Sequence, residues 1–136
     1  MFLALAAFVW VLPGWIYSPA RVAMGVSVLL LGLLVNVWPK VQFRRAGTTV
    51  NPLHPERSSV LITSGLYRYS RNPMYLGYAL ALLGVVVCQG MFIGLVSVAV
   101  FVGYVTAFQI LPEERELSSR FPAEYAAYQK AVRRWA

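Results

Sequence analysis

Long uncharged apolar stretches alternate with short polar segments along this chain. Four stretches carry no charged residue, namely Phe2–Tyr17, Val22–Trp38, Met74–Cys88 and Met91–Leu111. A helix needs about 20 apolar residues to cross the hydrocarbon core of a bilayer. The fourth stretch has that length, and the second reaches it when the turn from Pro19 is included, whereas the first and third are shorter. The pattern predicts four membrane helices, at about residues 2–17, 19–46, 73–88 and 91–111.

The polar segments predict a loop and two surface helices. Gly47–Ser64 is rich in Thr, Ser, Pro and Asn, which indicates an ordered loop at the membrane surface. Pro112 and Pro122 each stand where a helix can begin, and they predict surface helices at about 112–120 and 122–134. The second of these has an apolar face with a spacing of three to four residues, which indicates an amphipathic helix on the bilayer or on the rest of the protein. That face consists of Phe121, Tyr125, Tyr128, Val132 and Trp135.

Composition supports a lipid environment. Of the 136 residues, 59% are hydrophobic and only 12% are charged. A soluble domain of this size has too small a core to bury so much apolar surface. We therefore expect a single domain over residues 1–136 that is an all-α integral membrane protein. The alternative that Phe2–Tyr17 is a cleaved signal peptide is less favoured, because no basic segment precedes it and no clear cleavage site follows it.

The basic residues predict the orientation in the membrane. With a cytoplasmic N-terminus, the two external loops contain only Arg21, and the other eleven Lys and Arg residues lie on the cytoplasmic side. This predicts a multi-pass protein of the cell membrane with both termini in the cytoplasm. The net charge of +7 then indicates anionic lipid headgroups as partners and no nucleic acid, since the basic residues flank apolar segments.

Several classes of site are disfavoured by what the sequence lacks. His54 is the only histidine and Cys88 the only cysteine, so no multi-histidine metal site, cysteine cluster or intrachain disulfide is expected. No glycine-rich nucleotide-binding pattern occurs. The four apolar stretches contain no ionisable Asp, Glu, Lys, Arg or His, and ion-coupled transporters need such residues at membrane depth. A small transporter is therefore the weakest of the functional alternatives.

Two polar clusters remain as candidate chemistry, and each has a structural alternative. Leu61–Gly77 brings three tyrosines and two arginines to the start of the third helix, where they are either interfacial anchors or a ligand site at a helix N-terminus. In that segment Asn72-Pro73 is typical of a helix cap followed by proline at the first helical position. Pro112–Glu116 follows the fourth helix, where its acids either offset the helix dipole or bind ligand hydroxyls or an ammonium.

Together the two clusters resemble a known enzyme family. Leu66–Gly77 is similar to the motif of the isoprenylcysteine carboxyl methyltransferase and phospholipid methyltransferase superfamily, which is roughly Gly-x-Tyr, a short spacer and Arg-His-Pro-x-Tyr-x-Gly. The family carries a Glu-Glu pair after a helical hairpin, matched here by Glu113-Glu114, and then an aromatic run, matched by Phe121–Tyr128. The resemblance covers about Gly47 to Trp135 and marks a short, bacterial-type member.

The resemblance implies an S-adenosylmethionine-dependent methyltransferase with its cofactor at the cytoplasmic membrane face. It implies a lipophilic or small-molecule methyl acceptor, such as a membrane lipid, with Gln109 and Arg71 towards that substrate and no metal. Gln109 stands where prenylcysteine enzymes have an arginine, so the acceptor need not be a prenylcysteine carboxylate. The implied cofactor-binding residues are Leu61, Ile62, Tyr67, Asn72, Pro73, Met74, Tyr75, Glu113 and Glu114.

The sequence does not assign a catalytic residue. Asn72 stands where many members have histidine, and asparagine cannot act as a base near pH 7. A carboxylate or thiolate acceptor needs no base, whereas an amine or hydroxyl acceptor leaves Glu113, Glu114 or a tyrosine as candidates. The alternative function is a non-catalytic membrane scaffold or lipid-binding subunit, in which both clusters are anchors. Cofactor binding distinguishes the two functions.

Overall fold

The computed structural model describes residues 18–45 and 61–136, which are helical without any strand. Helix α1 spans Pro19–Arg45, α2 spans Pro73–Gln89 and α3 spans Gly94–Val105. A π-helical turn, Thr106–Ile110, leads from α3 into α4, Leu111–Arg120, and α5 spans Pro122–Ala131. A short 3-10 turn, Gly65–Arg68, precedes α2. The predicted first helix at 2–17 and most of the predicted loop lie outside the described residues.

Two helical segments among the described residues are long and apolar enough to cross a membrane. They are Pro19–Gln42 and Gly94–Arg120, which overlap most of the second and fourth predicted spans. Helix α2 is apolar but has only 17 residues. The described residues therefore have an all-helical fold with two candidate spans, and the predicted span at 2–17 lies outside them. Large apolar side chains on the outside of both segments remain exposed, including Leu34, Trp38 and Phe108, which suits a lipid environment.

The break predicted at Pro112 is not present. The backbone is helical without interruption from Gly94 to Arg120, so the predicted fourth membrane helix and first surface helix are continuous. The π turn ends directly before Leu111 and Pro112. Proline lacks an N–H donor and its ring crowds the preceding turn, and the wider π turn accommodates both features without a break.

Helices α1 and α2 pack closely through glycines. A Cβ atom on Gly77 would lie 2.5 Å from the backbone N of Asn36, and one on Gly84 would lie 2.5 Å from that of Leu29. Gly25 and Gly32 of α1 face the same seam. Because low-numbered residues of α1 face high-numbered residues of α2, the helices are antiparallel. The C-terminal end of α1 therefore lies beside the N-terminal end of α2.

A tight turn makes α2 and α3 antiparallel neighbours. Gly90 ends α2 with φ +68°, a left-handed conformation that favours glycine, and the chain then enters α3 at Gly94. The core between them contains Ala79, Leu82, Phe101, Val105 and Ile110. Residues 89 and 90 thus belong to a helical hairpin, which brings the start of α2 next to the start of α4.

The C-terminal region begins as predicted but leaves the helix early. Helix α5 starts at Pro122 and buries Tyr125 and Tyr128, two residues of the predicted apolar face. It ends at Ala131 rather than near residue 134, and Val132 has an extended backbone. Trp135 nevertheless packs against the core cluster. The physical reason for the early end is that the carbonyl groups of residues 133 and 134 bind the segment before α2 instead of continuing the helix.

Candidate functional site

The segment that enters α2 is held by compact local bonds. Gly65 opens the 3-10 turn with φ +63°, and the backbone N–H of Ser70 donates to the carbonyl of Leu66. Ser70 is buried, and its hydroxyl accepts a hydrogen bond of 3.1 Å from the backbone N–H of Asn72. Pro73 then starts α2, where its fixed φ suits the first turn. Residues 69–72 therefore connect Tyr67, in the 3-10 turn, to Tyr75, in the first turn of α2.

Asn72 has a different role from the predicted cap. It occupies the N-cap position of α2, but its side chain makes no capping hydrogen bond. Its Nδ2 instead donates to the carbonyl oxygen of Arg134 at 3.0 Å. The N-cap conformation at Asn72, φ −130° and ψ 54°, lies outside the regular β region that caps usually adopt. The side chain of Asn72 therefore links the backbone of residue 134 to the segment that enters α2.

The two predicted motifs meet in one hydrogen bond. The hydroxyl of Tyr75 donates to Oε1 of Glu113 at 2.7 Å, across 38 residues of sequence. Both side chains are half-buried. The other carboxylate oxygen of Glu113, Oε2, has no hydrogen-bond partner among the described residues. The antiparallel helices α2 and α3 thus bring a phenol and a carboxylate together at one end of the bundle.

Tyr67 lies within electrostatic range of the same carboxylate. Burial raises the pKa of the Tyr67 phenol, and the proximity of Tyr128 and Glu113 raises it further. The phenol consequently stays protonated at physiological pH and remains a hydrogen-bond donor. The backbone carbonyl of Tyr67 accepts a hydrogen bond of 2.7 Å from the Tyr128 hydroxyl, which ties α5 to the motif.

Glu114 belongs to a separate ionic cluster. Its carboxylate is buried and accepts two hydrogen bonds from the guanidinium of Arg134, at 3.0 and 2.9 Å. Nη1 of Arg71 lies 3.2 Å from Oε1 of Glu114. Two nitrogens of Arg71, Nε and Nη1, are buried without a hydrogen bond within the described ranges, so the Arg71 contact is an ion pair with poor hydrogen-bond alignment.

The remaining predicted residues lie before the 3-10 turn, in the first turn of α2 and in the π turn. Leu61 and Ile62 are half-buried in irregular chain before the 3-10 turn, and Leu61 lines an open groove whose other wall is α5. The Met74 carbonyl accepts a hydrogen bond of 2.8 Å from Asn36 Nδ2. Gln109 lies in the π turn and forms no hydrogen bond with another predicted site residue in the described part of the chain.

Comparison with known sequences identifies the family. The sequence model of the phospholipid methyltransferase family matches residues 20–124, more than three quarters of the chain. The chain belongs to the phospholipid methyltransferase family. An uncharacterized protein of Haemophilus influenzae is 39% identical over 62 residues, which are 46% of this chain and 98% of that protein. No solved structure matches the chain.

Membership of the phospholipid methyltransferase family confirms the resemblance found in the sequence. It indicates methyl transfer in a membrane setting, in agreement with the two candidate spans. The matched region contains both motifs and helix α1 but ends before Tyr128 and Arg134. The contacts of these two residues with the motif are therefore features of this chain's structure that the family match does not cover.

A polar cluster at the end of α1 was not predicted from the sequence. Asn36 is buried, and its Oδ1 accepts a hydrogen bond of 2.7 Å from the ammonium of Lys40. The ammonium also lies 3.5 Å from the hydroxyl of Tyr78 and 5.4 Å from the centre of its ring. The available signal was Asn36, an amide within an apolar stretch and four residues before a lysine, which places both on one helix face.

Proposed function

We propose that this protein is an S-adenosylmethionine-dependent membrane methyltransferase that acts on a lipophilic or small acceptor at the cytoplasmic face. Family membership supports methyl transfer. The single observation that carries the proposal is the hydrogen bond from Tyr75 to Glu113, because it joins the two motifs implied to bind the cofactor. A mere pair of interfacial anchors would not require these two side chains to meet.

The residues present fit the cofactor chemically. S-adenosylmethionine supplies an activated methyl group on a sulfonium, together with an ammonium, a carboxylate and ribose hydroxyls. Glu113 retains Oε2 to accept a hydrogen bond from an ammonium or hydroxyl, while Tyr75 fixes the other oxygen. Nη1 of Arg71 already forms an ion pair with Glu114, so Arg71 is not assigned to the cofactor. We therefore assign Glu113 and Tyr75 to the polar groups of the cofactor, with Tyr67 beside them.

Such a site accelerates the reaction mainly by alignment. Methyl transfer from a sulfonium is an in-line displacement, so holding donor and acceptor in line and excluding water lowers the barrier by several kcal/mol. Asn72 uses its side-chain N–H to bind the Arg134 carbonyl and cannot remove a proton near pH 7. Glu113 is the carboxylate of this centre with an unpaired oxygen in the described part, and it is the candidate base for an amine or hydroxyl acceptor.

The Lys40 cluster supports an acceptor with an anionic group. A lysine near a membrane surface usually extends its ammonium towards water. Here the ammonium folds back by one helical turn to Asn36, and no carboxylate contacts it in residues 18–45 or 61–136. Tyr78 lies one turn after Tyr75, so the unbalanced charge lies next to the Glu113 centre. We assign Lys40 to the phosphate or carboxylate of the lipid acceptor.

The proposed setting is a four-helix membrane domain with both termini in the cytoplasm. The segment that ends α1 carries Lys40 and Arg44, and the segment that enters α2 carries Arg68 and Arg71. The antiparallel packing places both basic segments at the same end of the helix pair. The positive-inside bias assigns that end to the cytoplasm, where the soluble cofactor is available.

A calorimetric titration of the purified protein with S-adenosylhomocysteine, the demethylated product of the cofactor, tests this proposal. We expect saturable binding at one site per chain. The alternative function, a non-catalytic membrane scaffold or lipid-binding subunit, predicts no heat beyond dilution. Absence of binding to folded protein would reject the methyltransferase assignment and support the scaffold.

A further inference from the structure

The backbone carbonyls of residues 133 and 134 accept hydrogen bonds from the motif before α2. The backbone N–H of Arg71 donates to the carbonyl of Arg133 at 3.0 Å. The carbonyl of Arg134 accepts from Asn72 Nδ2 at 3.0 Å and from the Ser70 hydroxyl at 3.4 Å. These bonds hold residues 132–136, which we call the C-terminal segment, against residues 70–72.

Glu114 links the C-terminal segment to the motif through side-chain contacts. The guanidinium of Arg134 binds both oxygens of Glu114, and Arg71 forms an ion pair with the same carboxylate. The side chains of Glu114 and Arg71 are 10% and 11% exposed. Removing one member of a buried ion pair leaves an unpaired charge, and this strongly destabilises the local structure. We call Arg71, Glu114 and Arg134 the C-terminal clasp.

The clasp is connected to each residue assigned to the cofactor. Glu114 follows Glu113 directly, and Arg71 lies between Tyr67 and Tyr75 in the motif. Trp135 of the C-terminal segment packs against the core cluster on which Tyr75 also packs. Displacement of the C-terminal segment would therefore break its hydrogen bonds with the motif and remove Trp135 from the core cluster against which Tyr75 packs.

We infer that Glu114 is a positioning residue, which acts through Arg71 and Arg134 to hold the C-terminal segment as one wall of the cofactor site. This differs from the sequence prediction that Glu114 binds the cofactor itself. The inference rests on the proposed function. If binding of the C-terminal segment to residues 70–72 raises cofactor affinity, the cofactor must stabilise the bound segment by the same factor, because the coupling between two equilibria is reciprocal.

Hydrogen–deuterium exchange tests this coupling on the full chain in detergent. The readout is the exchange rate of the Arg71 amide, which bonds the Arg133 carbonyl, and of residues 132–136. In the wild type, saturating S-adenosylhomocysteine should slow both rates by about tenfold. Glu114→Gln should speed both rates without ligand and weaken ligand binding by about tenfold, which corresponds to about 1.4 kcal/mol.

Two further variants make the test independent of any single substitution. Arg134→Gln changes a side chain that is 38% exposed, and it should reproduce both effects even if Glu114→Gln fails to fold. Glu116→Gln is the matched control, since Glu116 pairs with Arg120 on α4 and with no member of the clasp among the described residues, and it should change neither rate. Ligand binding without slower exchange in the wild type would overturn the inference and leave the proposed function standing. Absence of ligand binding would reject both.

Discussion

At the scale of single residues, the ammonium of Lys40 is notable because it binds neutral polar groups. It has an amide and a phenol as partners and no carboxylate in the described part of the chain. A lipid phosphate or carboxylate would complete this arrangement, and hydrogen bonds to charged groups contribute about 1.5–3 kcal/mol each. Recognition of the acceptor should therefore depend on Lys40 while recognition of the cofactor should not.

Replacing Lys40 by methionine keeps the length of the side chain and removes the charge. We expect the rate of transfer of a labelled methyl group into lipid extract, at limiting lipid, to decrease by about tenfold. Binding of S-adenosylhomocysteine should not change. Lys40→Arg is the control that keeps the charge and should retain most of the rate. An unchanged rate in Lys40→Met would exclude Lys40 from acceptor binding.

The sequence predicted part of the residue-level chemistry. The meeting of Tyr75 and Glu113 follows from motif spacing and a short hairpin, both of which are local features. The partners of Asn72 and Glu114 could not be predicted, because Arg134 lies 62 and 20 residues away from them and reaches them only after α5 ends. Asn72 therefore resembled an ordinary helix cap, and Glu114 a second cofactor ligand.

At the scale of helices, the seam between α1 and α2 depends on glycine. Gly84→Ala would place a Cβ 2.5 Å from the backbone N of Leu29, so α1 must shift, and overpacking of this kind costs about 1–3 kcal/mol. Gly103→Ala is the matched control in α3, because no atom of another described segment lies within 4 Å of the Cβ position there. Alanine in an open helix position is neutral or stabilises by up to about 1 kcal/mol.

Thermal unfolding in detergent measures this contrast. We expect a lower melting temperature for Gly84→Ala and an equal or higher one for Gly103→Ala. Equal melting temperatures for the two variants would show that the close approach of α1 and α2 does not contribute to stability. The sequence predicted the end of α4 near Arg120, but it predicted neither the continuity of α3 with α4 nor the end of α5 at Ala131, because the π turn and the bonds of the C-terminal segment override local signals.

At the scale of the whole molecule, orientation follows from charge rather than from helix packing. Eleven of the twelve basic residues lie on one side of the proposed four-helix arrangement. Cysteine substituted at Ser58 or Ser119, in a chain with Cys88→Ala, should react with a membrane-permeant thiol reagent in intact cells and not with an impermeant one. Labelling of either position from outside the cell would contradict the cytoplasmic placement of the site.

The most direct test of the account is the affinity of S-adenosylhomocysteine for the wild type and for two glutamate variants, measured by calorimetry. Glu113→Gln keeps the shape of the side chain and removes the charge beside Tyr75. We predict that it weakens binding by about tenfold or more, about 1.4 kcal/mol, while Glu116→Gln, one turn further along α4, leaves the affinity unchanged. If Glu113 only offset the helix dipole, its charge would affect stability by about 0.3–1 kcal/mol and not affinity. Equal affinities for folded wild type and Glu113→Gln would contradict the central claim.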